Sequence, residues 1–172
     1  MADSKLVKEA LGAPLKEAGF KKKSDSWCWS DNEVVLLVNI QKSQYGGQYY
    51  VNGGVAVKTL GEAEFPKEHH CHIRFRLTAV VSDEERKEIE SVFDLENESL
   101  SDQKRKEEIS RLVKDVALPI LQGCSSESSM AETVKSGRLA KAMVHKQVKG
   151  LVSLLFYKLK MPAQAPQFGL FV

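Results

Sequence analysis

Residues 69–72 read His-His-Cys-His, and Arg74 and Arg76 follow at alternate positions. Imidazole and thiolate are zinc ligands, and tetrahedral sites gather them in fours. On an extended strand only alternate residues share a face, so His70 and His72 would chelate together while Cys71 points away. No second ligand pair stands in register with them, and His145 is alone on a helix. His70 and His72 are therefore weak metal candidates, and the sequence implies neither a bound metal nor a cofactor. The same alternation separates Cys71 from His72 as nucleophile and base. Cys71 beside Ile73 reads as a small core hydrophobe, and Cys28 and Cys124 have no activating neighbour. Gly46-Gly47 and Gly53-Gly54 do not have the spacing of a phosphate-binding loop. No Asp or Glu pair lies in the strand region to support carboxylate chemistry.

One constellation remains: Asn39, Gln41, Tyr50, Asn52, His72, Arg74 and Arg76. If the strands that carry them are neighbours, these residues form a continuous face. Amides donate and accept, and guanidinium forks match carboxylate and phosphate. Such a face suits an anionic ligand or an acidic partner. The same groups can equally close an internal polar network between the sheet and C-terminal helices. Two functional classes follow from these residues. The first is a non-catalytic binding domain that uses the polar face. The second is an enzyme for a small anionic substrate, with His72 as acid or base and Arg74 and Arg76 as clamps.

The elements that must position these groups are strands. Residues 34–58 contain two β-rich runs around Gly46-Gly47, a hairpin signature. Leu36, Val38 and Ile40 share one face of the first run, and Val35, Leu37, Asn39 and Gln41 the other. On the return run Tyr49, Val51, Gly53, Val55 and Val57 alternate with Tyr50, Asn52, Gly54, Ala56 and Lys58. Trp27 and Trp29 mark an earlier strand on residues 26–30, with Asp31-Asn32 as its turn. Gly53-Gly54 indicates a bulge or a close approach. Residues 69–81 read as a fourth strand, with Cys71, Ile73, Phe75 and Leu77 on its apolar side.

Helices frame this strand region. Val7, Leu11, Leu15 and Ala18 make an apolar stripe that ends at Gly19 and Phe20, and Lys21–Lys23 follow as solvated lysines. Ser82 with Glu85 is a capping box for a helix through Phe93. Ile109, Leu112, Val113, Val116, Ala117, Ile120 and Leu121 form a wide core stripe within residues 99–121, with Pro119 near its end. A shorter helix follows on residues 126–136. Residues 138–160 begin as helix, with Leu139, Met143, Val144, Val148 and Leu151 in register. Residues 154–159 read as either helix or strand, and Pro162 and Pro166 mark an irregular tail.

The chain of 172 residues suits one domain, 1–172, large enough for a core without staples. Its net charge of +2, from 25 basic and 23 acidic residues, argues against specific nucleic-acid binding. No apolar run approaches the roughly 20 residues of a membrane span. Three widely spaced cysteines and no secretory leader read as a cytoplasmic protein with reduced thiols.

The order Gly19-Phe20-Lys21-Lys22-Lys23, a tryptophan strand, Asn39-Ile40-Gln41-Lys42-Ser43, Tyr49-Tyr50-Val51-Asn52-Gly53-Gly54 and Cys71-His72-Ile73-Arg74-Phe75-Arg76 resembles the bacterial domain-of-unknown-function 4304 family. The resemblance spans residues 5–125, with 126–172 as a helical extension and tail. It implies a small α+β domain with no assigned activity, and by analogy a third function, an immunity- or inhibitor-like partner protein. The family pattern favours Gly19, Phe20, Asn39, Gln41, Ser43, Asn52, Cys71, His72 and Arg76. The expected fold is an α+β domain: an antiparallel sheet of four to five strands, with the N-terminal and C-terminal helices on one face.

Overall fold

The computed structural model describes residues 4–61 and 64–160. The tail with Pro162 and Pro166 lies outside those residues. The fold is α+β. Among the described residues six antiparallel strands run in chain order across one sheet: β1 (Lys21–Lys23), β2 (Ser26–Ser30), β3 (Val34–Lys42), β4 (Tyr49–Val57), β5 (Ile73–Arg76) and β6 (Met143–Val144). The helices are α1 (Ser4–Glu17), α2 (Asp83–Phe93), α3 (Asp102–Leu112), α4 (Leu118–Gln122), α5 (Glu127–Lys135) and α6 (Lys146–Lys160).

Local chemistry sets most element ends. Gly19, at φ 86°, ends α1: its N–H bonds the Lys16 carbonyl, and the Phe20 N–H reaches back to Leu15. This is the paired C-terminal motif that favours glycine and an apolar follower. Asp31 Oδ1 accepts the N–H groups of Glu33 and Val34, both at 2.8 Å, and so turns β2 into β3. Ser82 and Glu85 form the expected reciprocal cap of α2. Ser101 caps α3. Between α3 and α4, Val113–Ala117 widens into a π-helical turn, just ahead of Pro119, which cannot donate the next α-helical bond.

Three expectations change. The sheet has six strands, because Lys21–Lys23 and Met143–Val144 pair onto its two edges. Met143 and Val144 fit helical spacing in the sequence, yet they form a strand on β5, and residues 145–160 then continue into α6. That helix includes residues 154–159. The fourth strand is also shorter than residues 69–81. Only Ile73–Arg76 is extended, between 3-10 turns at Glu68–His70 and Leu77–Ala79. The turn breaks the alternation, so Cys71 lies across the sheet from Ile73. It packs with Cys28, Val35, Leu37 and Ala56 rather than with the main core.

All helices contribute to one core on one face of the sheet, against Leu36, Val38, Ile40, Val51, Val55, Val57, Ile73 and Phe75. Gly53 and Gly54 are sites of close approach. A Cβ on Gly53 would lie 2.3 Å from the Phe75 ring, and one on Gly54 would lie 2.7 Å from Cys71 Sγ. Buried Arg105 ties α3 to the end of α2 by donating to the carbonyls of Val92, Asp94 (2.7 Å) and Asn97 (2.6 Å). The loop it fixes then holds the β3–β4 hairpin, with Gly47 N–H bonded to Glu96 Oε1 at 2.9 Å.

Candidate functional site

The face of the sheet away from the helices has two halves. One is the apolar island of Cys28, Val35, Leu37, Ala56 and Cys71, against which Phe65 packs. The other begins one register step along the strands. Lys23 pairs with Ser26, Ser26 with Asn39, Asn39 with Asn52 and Asn52 with Arg76. Five strands thus place Lys23, Ser26, Asn39, Asn52 and Arg76 in one transverse row. At a strand spacing of about 4.8 Å its ends lie about 19 Å apart. Gln41 and Tyr50 oppose each other in the next row.

The centre of the row is a set of linked amides. Asn52 Nδ2 donates to Gln41 Oε1 at 3.2 Å and to Asn39 Oδ1 at 3.4 Å. Asn39 Nδ2 donates in turn to Ser26 Oγ at 3.0 Å and to the Asp25 carbonyl at 3.1 Å. These bonds fix the orientation of each amide and stabilise Asn52, which is only 8% exposed. Orphaning such a buried group costs about 1–3 kcal/mol.

The ends of the row are cationic. The Arg76 guanidinium stacks 3.8 Å from the centroid of the Tyr50 ring, and Lys23 Nζ lies 5.6 Å from that of Phe65. Neither cation has an ion-pair partner among the described residues. The strand positions on this face carry no Asp or Glu. Beside the row, Arg74 opposes Gly54 and Met143, and its Nε is buried without a hydrogen-bond acceptor among the described residues.

His72 does not join this patch. It precedes β5, is 8% exposed, and its Nδ1 accepts the Val57 N–H at 2.9 Å. The imidazole takes the place of a strand carbonyl where β5 stops. Val57 is five residues along β4 from Asn52, about 16 Å at strand rise. His70 lies in the 3-10 turn, exposed. One ligand atom of His72 is thus already committed to the backbone, and the two imidazoles do not share a strand face. Cys28 and Cys124 have no activating environment either: burial pushes both up to about 12, far from the range of a reactive thiolate.

The structure therefore brings together Asn39, Gln41, Tyr50, Asn52 and Arg76, sets Arg74 at their border, and separates His72. Sequence reasoning missed Lys23 and Ser26. Nothing in the sequence marks them: the register comes from the β1–β2 turn, where Ser24 has φ 56°.

Residues 11–123 match the family Domain of unknown function (DUF4304), which is more than half of the chain. The chain belongs to this family. No curated protein and no solved structure matches it. The whole row from Lys23 to Arg76 falls inside the DUF4304 region, whereas α5, β6 and α6 lie beyond it. Among the described residues of this DUF4304 protein, no helix is long and apolar enough to cross a membrane.

Proposed function

We propose that this DUF4304 domain acts by binding, with the Lys23–Ser26–Asn39–Asn52–Arg76 row as a recognition surface for an acidic protein segment. The observation that carries the reading is a fixed amide row between two cations, on a face whose strand positions hold no carboxylate. Arg76 is already oriented by Tyr50 and presents a fork suited to carboxylate. Exposed Gln41 adds a donor between the cations. The row is open: a cleft of about 860 Å³ lies instead between the start of α1, the β3–β4 hairpin and Glu96, and none of Asn39, Gln41, Tyr50, Asn52, Arg74 or Arg76 lines it.

The enzymatic alternative has less support, because His72 is remote from Arg76 and its Nδ1 bonds the backbone. The inhibitor-like alternative draws on Leu154 and Tyr157, which are 50% and 62% exposed on α6 and would suit a helix-mediated contact.

The test is titration of hexaglutamate into wild-type protein and into the Lys23→Ala/Arg76→Ala variant. The exposed stacking contacts contribute only about 0.5–1 kcal/mol each, so the variant should fold while its affinity falls about tenfold or more. Equal binding by the variant, or no binding by wild type, overturns the reading.

A further inference from the structure

A groove of about 650 Å³ lies on the helix side of the same sheet, between α1 and the edge strand β1. Its wall on α1 is Gly12 and Ala13, and its floor is Phe20 and Trp27. Gly12 favours this shape: a Cβ there would sit 3.2 Å from Trp27 Nε1, and the indole would have to give by a few tenths of an ångström. The volume is within the usual range for binding clefts, about 300–1,000 Å³.

The rim is basic. Lys16, Lys21 and Lys22 make no ion pair among the described residues, and Lys22 Nζ lies 5.2 Å from the centroid of the Trp27 ring. Glu9 is the carboxylate on the rim, and it pairs with Lys5 at 3.9 Å. β1 is an edge of the sheet, with β2 as its partner on one side only. Beneath α1 there is thus an apolar floor, a lysine rim and a strand edge that no further strand covers among the described residues. From Lys8 to Lys16 the helix rises about 12 Å, the length of about four extended residues.

We infer that this groove takes an extended acidic peptide, which adds to β1 as a further strand. Strand addition uses backbone bonds for affinity and alternate side chains for specificity. Lys22 faces the same side as Trp27, because the two residues are register partners. On its face toward α1 the added strand sets an apolar side chain over Phe20 and Trp27, and carboxylates two and four residues along that same face meet Lys22 and Lys16. This site does not depend on the amide row, since Lys16, Lys22 and Trp27 are not part of it.

The experiment uses the full chain with Trp29→Phe, which leaves Trp27 as the sole tryptophan. The probe is a blocked hexapeptide, Thr-Leu-Thr-Asp-Thr-Asp, whose leucine and aspartates share one strand face. The expected result is a saturable change in Trp27 emission. Lys16→Glu/Lys22→Glu, at exposed positions, should weaken it about tenfold or more, and so should Ala13→Phe, which fills the groove. Backbone N-methylation of the peptide should abolish it, while Lys23→Ala/Arg76→Ala should leave it unchanged. Absence of any response, equal response in the charge-reversed variant, or undiminished binding of the N-methylated peptide overturns the proposal. Absence of response would mean that the lysines only guard the sheet edge.

Discussion

On the helix side, β3 presents Leu36, Val38 and Ile40, and all are buried along its length. On the other side the same strand presents Val35 and Leu37, then changes to Asn39 and Gln41. The change follows from what covers each side. A layer of helices covers most of the sheet on one side, so the positions beneath it are apolar. On the other side Phe65 and Cys71, from the segment between β4 and β5, pack only on the island around Leu37. Beyond that cover the strand positions meet water, and polar residues lie there. Water alone would be satisfied by mixed charges. This patch holds amides and cations without a carboxylate, which is why the outer side, and not the larger core, carries the functional reading.

The largest expected effect tests the unequal cover. Leu36 and Leu37 are 1% and 0% exposed, adjacent in sequence and opposite in direction. Large-to-small changes in a core cost about 2–5 kcal/mol, depending on how far the site collapses around the cavity. Leu36→Ala, beneath the helices, should fall in the upper part of that range. Leu37→Ala, beneath a chain segment that can settle inward, should fall near the bottom. Denaturant titration of both variants measures the difference. An equal or reversed order would show that the outer cover is as rigid as the helix layer.

The inner side was more legible in the sequence than the outer. Alternation at residues 35–41 and 49–57 depends only on strand period, and the structure keeps it. The caps at Gly19 and Ser82 are local and equally readable. Cys71 was misplaced because a 3-10 turn at Glu68–His70 interrupts the parity on which the inference rested. His72 left the patch for the same reason and took up the Val57 N–H. Met143 and Val144 fit a helical stripe with Val148, but pairing with the open edge of β5 overrides that spacing. Lys23 has no apolar pattern to place it in a strand. Its role emerges only from register with Ser26, which is a tertiary fact.

Thiol titration compares the two sides a second way. Cys124 belongs to the helix-side core and Cys28 to the outer island, and burial raises both to about 12 from 9.0. Between those values the unfolded thiol has lost its proton and the folded one keeps it. Stability is therefore fully present below pH 9 and is lost as pH rises toward 12. Each thiol contributes a slope of up to about 1.4 kcal/mol per pH unit. Cys28→Ala and Cys124→Ala should each flatten the alkaline limb of the stability profile, and by similar amounts. A flattening confined to Cys124→Ala would mean that the outer island admits water.

The smallest expected effect concerns the edge where the two faces meet. Lys21, Lys22 and Lys23 are all exposed on β1. Their visible contacts are the approaches of Lys22 to Trp27 and Lys23 to Phe65, each about 0.5–1 kcal/mol at an exposed site. Glutamine at all three positions keeps two of the four methylenes of each stem and removes the charge. Fold stability should therefore change by less than about 1 kcal/mol. Lysines on an edge strand also oppose pairing with a second copy, so the neutral variant should self-associate more readily at high concentration. Thermal unfolding together with sedimentation velocity separates the two effects. A large loss of stability would show that these lysines pair with acids in the folded chain. Unchanged sedimentation would leave ligand recognition as the remaining reason for three cations on this edge.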